Sequence, residues 1–193
     1  SQFSGEGAPH FYVGYIIDDI NFSGIGMIGN LFDTKQIEVF KGPQSSIYGT
    51  NAMAGIINIV SNNPIDKKEF RLNISQYSYN GNTINISTSI PITKKLLTRF
   101  TISKNYTNSY VINISDNNKK RDTNAKNEFL FRNKTLIKPQ ESLTILLTSY
   151  FVDLNNKYDV WTPDNNGFTT YSDFQGFDKQ KSKAFSMNTH LKS

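Results

Sequence analysis

Few residues in this chain have the types and spacing for chemistry. Asp18 and Asp19 form an adjacent carboxylate pair, and Glu6 lies close to His10 near the start. Such groups can relay protons. The serines are plentiful, but none sits in a nucleophile elbow. The two histidines, His10 and His190, are far apart and lack metal-ligand spacing, and cysteine is absent, which excludes disulfides and thiolate metal sites. Asp18-Asp19 reads more simply as the end of a strand whose carboxylates bind neighbouring backbone amides in a turn. No enzyme, resident metal or cofactor is expected.

Charge points nowhere more specific. The formal charge is +5, yet the pairs Lys67-Lys68, Lys94-Lys95 and Lys119-Lys120 sit beside Pro, Asn or Thr punctuation. No basic stripe interleaved with aromatics is present, so nucleic acid is not an expected partner. Apolar residues are 37% of the chain and charged ones only 19%, with Asn, Ser and Thr filling the gap. That balance suits strands with one wet and one greasy face. No run approaches the roughly 18 apolar residues of a membrane-spanning helix. Ser1-Gln2-Phe3 opens without a signal-peptide pattern, which in a piece of a longer protein decides nothing.

Two textures follow one another, changing near Asn62-Asn63-Pro64. Before that point, short β-branched runs at 11–18, 36–40 and 55–60 read as buried strands of a small mixed domain. Short helical turns are expected at 26–33 and 45–51. Beyond residue 68, period-2 alternation dominates. Phe70, Leu72 and Ile74 oppose Arg71, Asn73 and Ser75, and Ile84, Ile86 and Ile90 oppose Asn85, Ser87 and Ser89. Further strands are expected around 99–103, 127–137, 143–151 and 182–192, with Arg99 and Arg132 on polar faces. Connectors at Asn80-Gly81, 91–95 and 138–142 are short, whereas 105–125 and 153–181 are long and polar. Transmembrane barrels show that asymmetry, with short periplasmic turns and longer outer loops. A soluble β-sandwich, as a binding or structural protein, also alternates, and pattern alone leaves both open.

The stretch Gln36 to Pro64 narrows the choice. Ile37, Glu38, Val39, Gly42, Pro43, Ser46, Tyr48, Gly49, Ala52, Gly55, Asn58, Ile59 and Pro64 resemble the end of the plug domain of TonB-dependent outer-membrane receptors. Val13 to Asn21 is similar to an earlier plug strand, with Asp18 at the family's aspartate. The chain departs from the pattern at Lys41 (commonly arginine), Ala54 (often glycine) and Asp19 (usually glycine). Residues 164–181 resemble, less specifically, an early outer loop and the strand after it in siderophore-type receptors.

The resemblance implies a mixed α/β plug domain over 1–66, followed by antiparallel transmembrane β-barrel strands over 67–193, about six of them and therefore an incomplete barrel. The family's barrel has about 22 strands closed around its plug. It implies residence in the Gram-negative outer membrane as a monomer, with the lipid bilayer as partner. It also implies uptake of a ferric siderophore or similar iron chelate, powered by the TonB energy-coupling protein acting through an N-terminal region outside this chain. Haem, cobalamin or another bulky nutrient is the alternative cargo. Glu38 and Lys41 are expected to pair with charges on the barrel wall, and Gly42, Pro43, Tyr48, Gly49, Gly55 and Asn58 to shape the plug. Candidate substrate contacts are Phe22, Ile25 and Met27 at a plug apex, and Tyr106, Tyr158, Trp161 and Tyr171 near the long loops.

Overall fold

A computed structural model describes residues 13–23, 31–43, 54–115, 123–158, 167–172 and 176–192, and every regular element among them is a strand. The first four are β1 (Val13–Ile17), β2 (Ile20–Asn21), β3 (Thr34–Lys41) and β4 (Gly55–Ser61). They form one mixed sheet in the order β2-β1-β4-β3, with β1 parallel to β4 and β3 antiparallel to it. The helical turn expected at 45–51 lies outside the described residues. Of the one expected at 26–33, residues 31–33 are described, and they form a turn in which Asp33 has φ 62°. The α component of the expected α/β plug is thus absent from the described residues.

The glycines of this sheet have unequal duties. Gly55 pairs with Lys41 and has φ 149°, and a Cβ there would lie 2.3 Å from the Phe40 carbonyl oxygen. No side chain fits so close to a neighbouring strand. Gly42 has φ 88° but open space around it, so only its conformation favours glycine.

The second sheet is a six-stranded antiparallel meander: β5 (Glu69–Tyr77), β6 (Gly81–Thr93), β7 (Leu96–Thr107), β9 (Lys126–Gln140), β10 (Leu143–Tyr158) and β12 (Gly176–Leu191). Two strands are longer than the alternation suggested. β10 runs to Tyr158 and β12 starts at Gly176, so the expected 153–181 loop shrinks to 159–175. Polar residues such as Asn155, Asn156 and Lys179 hid this, because strand ends that reach into water no longer need an apolar face. A bilayer is crossed by about 9–11 tilted residues, and β10 has 16. Two short strands, β8 (Ile112–Asn113) and β11 (Thr169–Thr170), pair in parallel and tie the two long connectors together.

Register explains the two faces. Ile86, Ile102, Phe131 and Phe151 are successive cross-strand partners on one face, while Ser87, Thr101, Arg132 and Tyr150 succeed one another on the other. The polar row is buried beneath the first sheet, whereas large apolar residues of the opposite face, such as Leu72, Ile102 and Phe185, are exposed. A soluble sandwich would bury the apolar rows between its sheets. Placing charge there is the direct check. Phe131→Arg is expected to destabilise the full-length protein refolded in lipid vesicles by about 2–4 kcal/mol, read by denaturant unfolding. Unchanged stability would mean that this face lies in water.

Candidate functional site

The polar rows of the second sheet converge on a basic patch. Arg99 and Lys134 are direct partners across β7 and β9, as are Thr101 and Arg132 one row further along. Arg99, Arg132 and Lys134 are all buried. Three cations cannot be desolvated together without counter-charge.

Two aspartates of the first sheet supply it. Asp33, in the turn before β3, accepts from Arg99 Nε at 2.8 Å, Arg99 Nη2 at 2.5 Å, Thr101 Oγ1 at 2.8 Å and Arg132 Nη2 at 3.1 Å. Arg132 also donates to the Asp33 backbone oxygen at 3.1 Å. Arg99 grips Asp33 through two nitrogens, a fork that lysine lacks. Glu69, at the start of β5, takes Arg99 Nη2 at 2.9 Å.

Asp18, in the β1–β2 turn, accepts from Lys134 Nζ at 2.8 Å, from Ser61 N at 2.9 Å and from Ser61 Oγ at 2.6 Å, and also from the Tyr150 hydroxyl. Lys134 Nζ donates further to Asn63 Oδ1 at 3.0 Å and to the Ser61 carbonyl at 3.2 Å. Asp18 and Asp33 both have positive φ, at 48° and 62°. Aspartate tolerates that conformation better than most side chains, so one residue makes both the turn and the contact.

Electrostatics follow from this geometry. Burial alone would raise the Asp18 carboxyl, but the Lys134 ammonium and the Ser61 and Tyr150 donors outweigh it and hold the pKa below the ordinary 3.8. At Asp33, burial is likewise outweighed, by hydrogen bonds from Arg99 and Thr101 and the charges of Arg132 and Arg99. Both carboxylates are ionised. The arrangement can hold two sheets in one orientation.

The expected site residues scatter around this contact. Glu38 accepts from Asn58 Nδ2 and Gln36 Nε2, both at 2.8 Å, within the first sheet. Lys41 is exposed, and among the described residues neither it nor Glu38 forms an ion pair. Among the described residues, the charged contacts with the second sheet are made by Asp18 and Asp33. Asp18 does bind a backbone amide, but that of Ser61 on β4 rather than one in its own turn. Pro43 is exposed, and Tyr48, Gly49, Ile25, Met27 and Trp161 lie outside the described residues.

Among the candidate ligand contacts, Phe22 is buried edge-on against Tyr150, with ring centroids 5.5 Å apart. This corrects the expectation that it faces a ligand. Tyr106 shares the outward parity of Ile102 and Lys104, which suits an interfacial aromatic belt. Tyr158 follows the parity of Tyr150 and Leu154 toward the enclosed face, and Tyr171 lies just beyond β11; both are about half exposed.

Comparison with known proteins fits this geometry. Residues 1–56 match the TonB-dependent Receptor Plug Domain. The chain is 35% identical over 83 residues to the ferric enterobactin receptor PirA of Pseudomonas aeruginosa, a match covering 40% of this chain and 11% of that protein. The fold is similar to the crystal structure of the ferric yersiniabactin uptake receptor FyuA from Yersinia pestis, with TM-score 0.80 and 16% identity, covering 94% of this chain and 30% of that one. It is also similar to the ferripyoverdine receptor of the P. aeruginosa outer membrane, with TM-score 0.71 and 12% identity, covering 92% and 25%. This chain therefore spans less than a third of each.

Two outcomes test the contact. Asp33→Ala leaves the buried Arg132 without its carboxylate and Arg99 with Glu69 alone, and is expected to weaken docking of the first sheet by about 3–5 kcal/mol, while removing Asp18 and Lys134 together costs less than the sum of the single losses. Protease protection of residues 13–61 across a denaturant series in the full-length protein reads both, and additive losses would count against direct coupling. The pH dependence follows in sign. With folded pKa values below 3.8, the stabilisation is complete above that pH and falls away as acidification passes through the lower folded values. The same protection assay, run from neutral to strongly acidic pH, should show no loss near pH 5.

Proposed function

We propose that this chain is part of a TonB-dependent receptor and that its parent protein takes up a ferric siderophore or similar iron chelate across the Gram-negative outer membrane. Residues 1–66 serve as the C-terminal part of a plug, and 67–193 supply about six strands of the wall. The observation that carries the reading is the buried ion-pair contact between Asp18 and Asp33 on the plug side and Arg99, Arg132 and Lys134 on the wall. A plug fixed by charges in a wet lumen can be pulled away and re-solvated, because each group that separates regains water. An apolar contact of the same size would expose greasy surface on both sides.

The iron chelate is cargo, so no covalent bond is made or broken by the receptor. Binding at the outer face would use Tyr158 and Tyr171, which the wall and the paired loops hold near the mouth. Pulling by an energy-coupling protein would then release the plug contact. The siderophore reading is supported by the nature of the similar receptors, which act on enterobactin, yersiniabactin and pyoverdine complexes.

Uptake of radiolabelled ferric siderophore by iron-starved cells tests the proposal. The full-length receptor is expected to accumulate label only with the proton gradient intact, while surface binding survives its collapse. Label that enters at the same rate without the gradient would remove the energy-coupled role.

A further inference from the structure

We propose that Glu128 is a specificity residue for a cationic group, so that the receptor favours an iron chelate bearing a free ammonium over an anionic one. The inference rests on the uptake reading above, which puts the cargo at the long-loop end of the inner face of the second sheet.

The register places the group and its neighbours hold it. Glu128 stands on β9 on the same face as Arg132 and Lys134, two rungs nearer the long-loop end, with Asn105 of β7 and Leu154 of β10 as its cross-strand partners. Asn105 Nδ2 donates to Glu128 Oε2 at 3.0 Å, and Asn156 Nδ2 donates to Oε1 at 2.9 Å. Asn105 is fixed in turn, because its Oδ1 accepts from the Tyr77 hydroxyl at 2.7 Å and from Thr83 Oγ1 at 3.1 Å. Side chains from β5, β6, β7 and β10 thus hold one carboxylate in one orientation.

Amides orient a carboxylate without cancelling its charge. Glu69, further along the same face, lies against Arg99 and Arg71. Glu128 is half-buried and forms no ion pair among the described residues. Lys126 and Asp178, one rung further out, are both exposed and offset each other. A carboxylate has about four acceptor positions, and the amides use two of them. Leu154 beside it, with Leu130 and Val152 one rung inward, forms a buried apolar cluster that limits water on that side. A charge in such a setting attracts a cation more strongly than one in bulk water. An ammonium, with three donors, fits the open acceptor positions. An anionic chelate would meet like charge on a side chain that its neighbours hold in place.

The full-length receptor, purified in detergent, is titrated with a linear ferric tris-hydroxamate carrying a terminal ammonium, and with the same chelate N-acetylated. Acetylation removes the charge and leaves the iron centre unchanged. The parent is expected to bind the ammonium form about tenfold more tightly, as a charge-assisted hydrogen bond allows. Glu128→Gln, of nearly the same shape, should erase that preference by weakening the ammonium form alone. Lys126→Gln, one rung outward, should retain the preference or strengthen it. Protease protection of residues 13–61 should be unchanged in Glu128→Gln, and its loss would make Glu128 a structural residue and overturn the assignment. Equal binding of the two forms by the parent would also overturn it, as would a preference that survives Glu128→Gln, binding of neither form, or tighter binding of a trianionic ferric tris-catecholate. Because binding is read on purified protein without an energy source, its failure is separable from failure of the gradient-dependent uptake assay.

Discussion

The rest of the structure depends on one constraint: three cations buried side by side on the inner face of a sheet must be neutralised. Arg99, Arg132 and Lys134 cannot reach water once the first sheet covers them, and Asp18, Asp33 and Glu69 balance them one for one. Such a cluster contributes less net stability than apolar packing of equal volume would. It is instead unforgiving of misplacement, because any shift that separates one pair leaves a buried charge alone. Orientation of one sheet on the other is thereby set by a handful of side chains. The Phe22–Tyr150 contact and the Arg132 guanidinium 6.0 Å from the Tyr150 ring centre add shape to the same spot.

That constraint also fixes what the two faces of the second sheet can be. With the charged rows committed to the first sheet, the alternate rows are left apolar, and register keeps them so over five strand pairs. A slip by one residue would turn Arg99 and Lys134 to the outward face and Ile102 toward the first sheet. The long strands resist it through their many paired residues, and the β5–β6 turn helps: Tyr79 and Asn80 both have positive φ, at 62° and 54°, as a tight hairpin requires.

At the outer end the problem changes from burying charge to ordering loops. The parallel β8–β11 pair is only two residues long, but Asn113 backs it by donating to the Ser172 carbonyl and accepting from the Ser172 amide. Val111, Ser109 and Thr123 are buried beside it. On the transport reading, the two loops therefore meet a ligand as a joined surface, with Tyr158 and Tyr171 held at its edge rather than on free chains.

Local pattern carried much of this into the sequence. Alternation from Phe70 onward depends only on which side of a strand each residue takes, so the sheet and its two faces were legible, and the Gln36–Pro64 stretch was legible because its glycines answer to local backbone geometry such as that of Gly55. Arg99 and Arg132 were visible as mid-strand charges on a polar face, and they announced that something must neutralise them. What that something is was not written locally. Asp33 lies 66 residues from Arg99, and Asp18 lies 116 from Lys134, so nothing in spacing or periodicity distinguishes these aspartates from ordinary turn formers. Glu38, inside the stronger motif, looked the better candidate, and it pairs with Asn58 across its own sheet. The ends of β10 and β12 were hidden for a related reason: there the strands are held by their ladder and not by an apolar face. The chain by itself determined which residues share a face, and only the tertiary structure decided which charges meet, because ion pairing depends on distance in space and the sequence records distance along the chain.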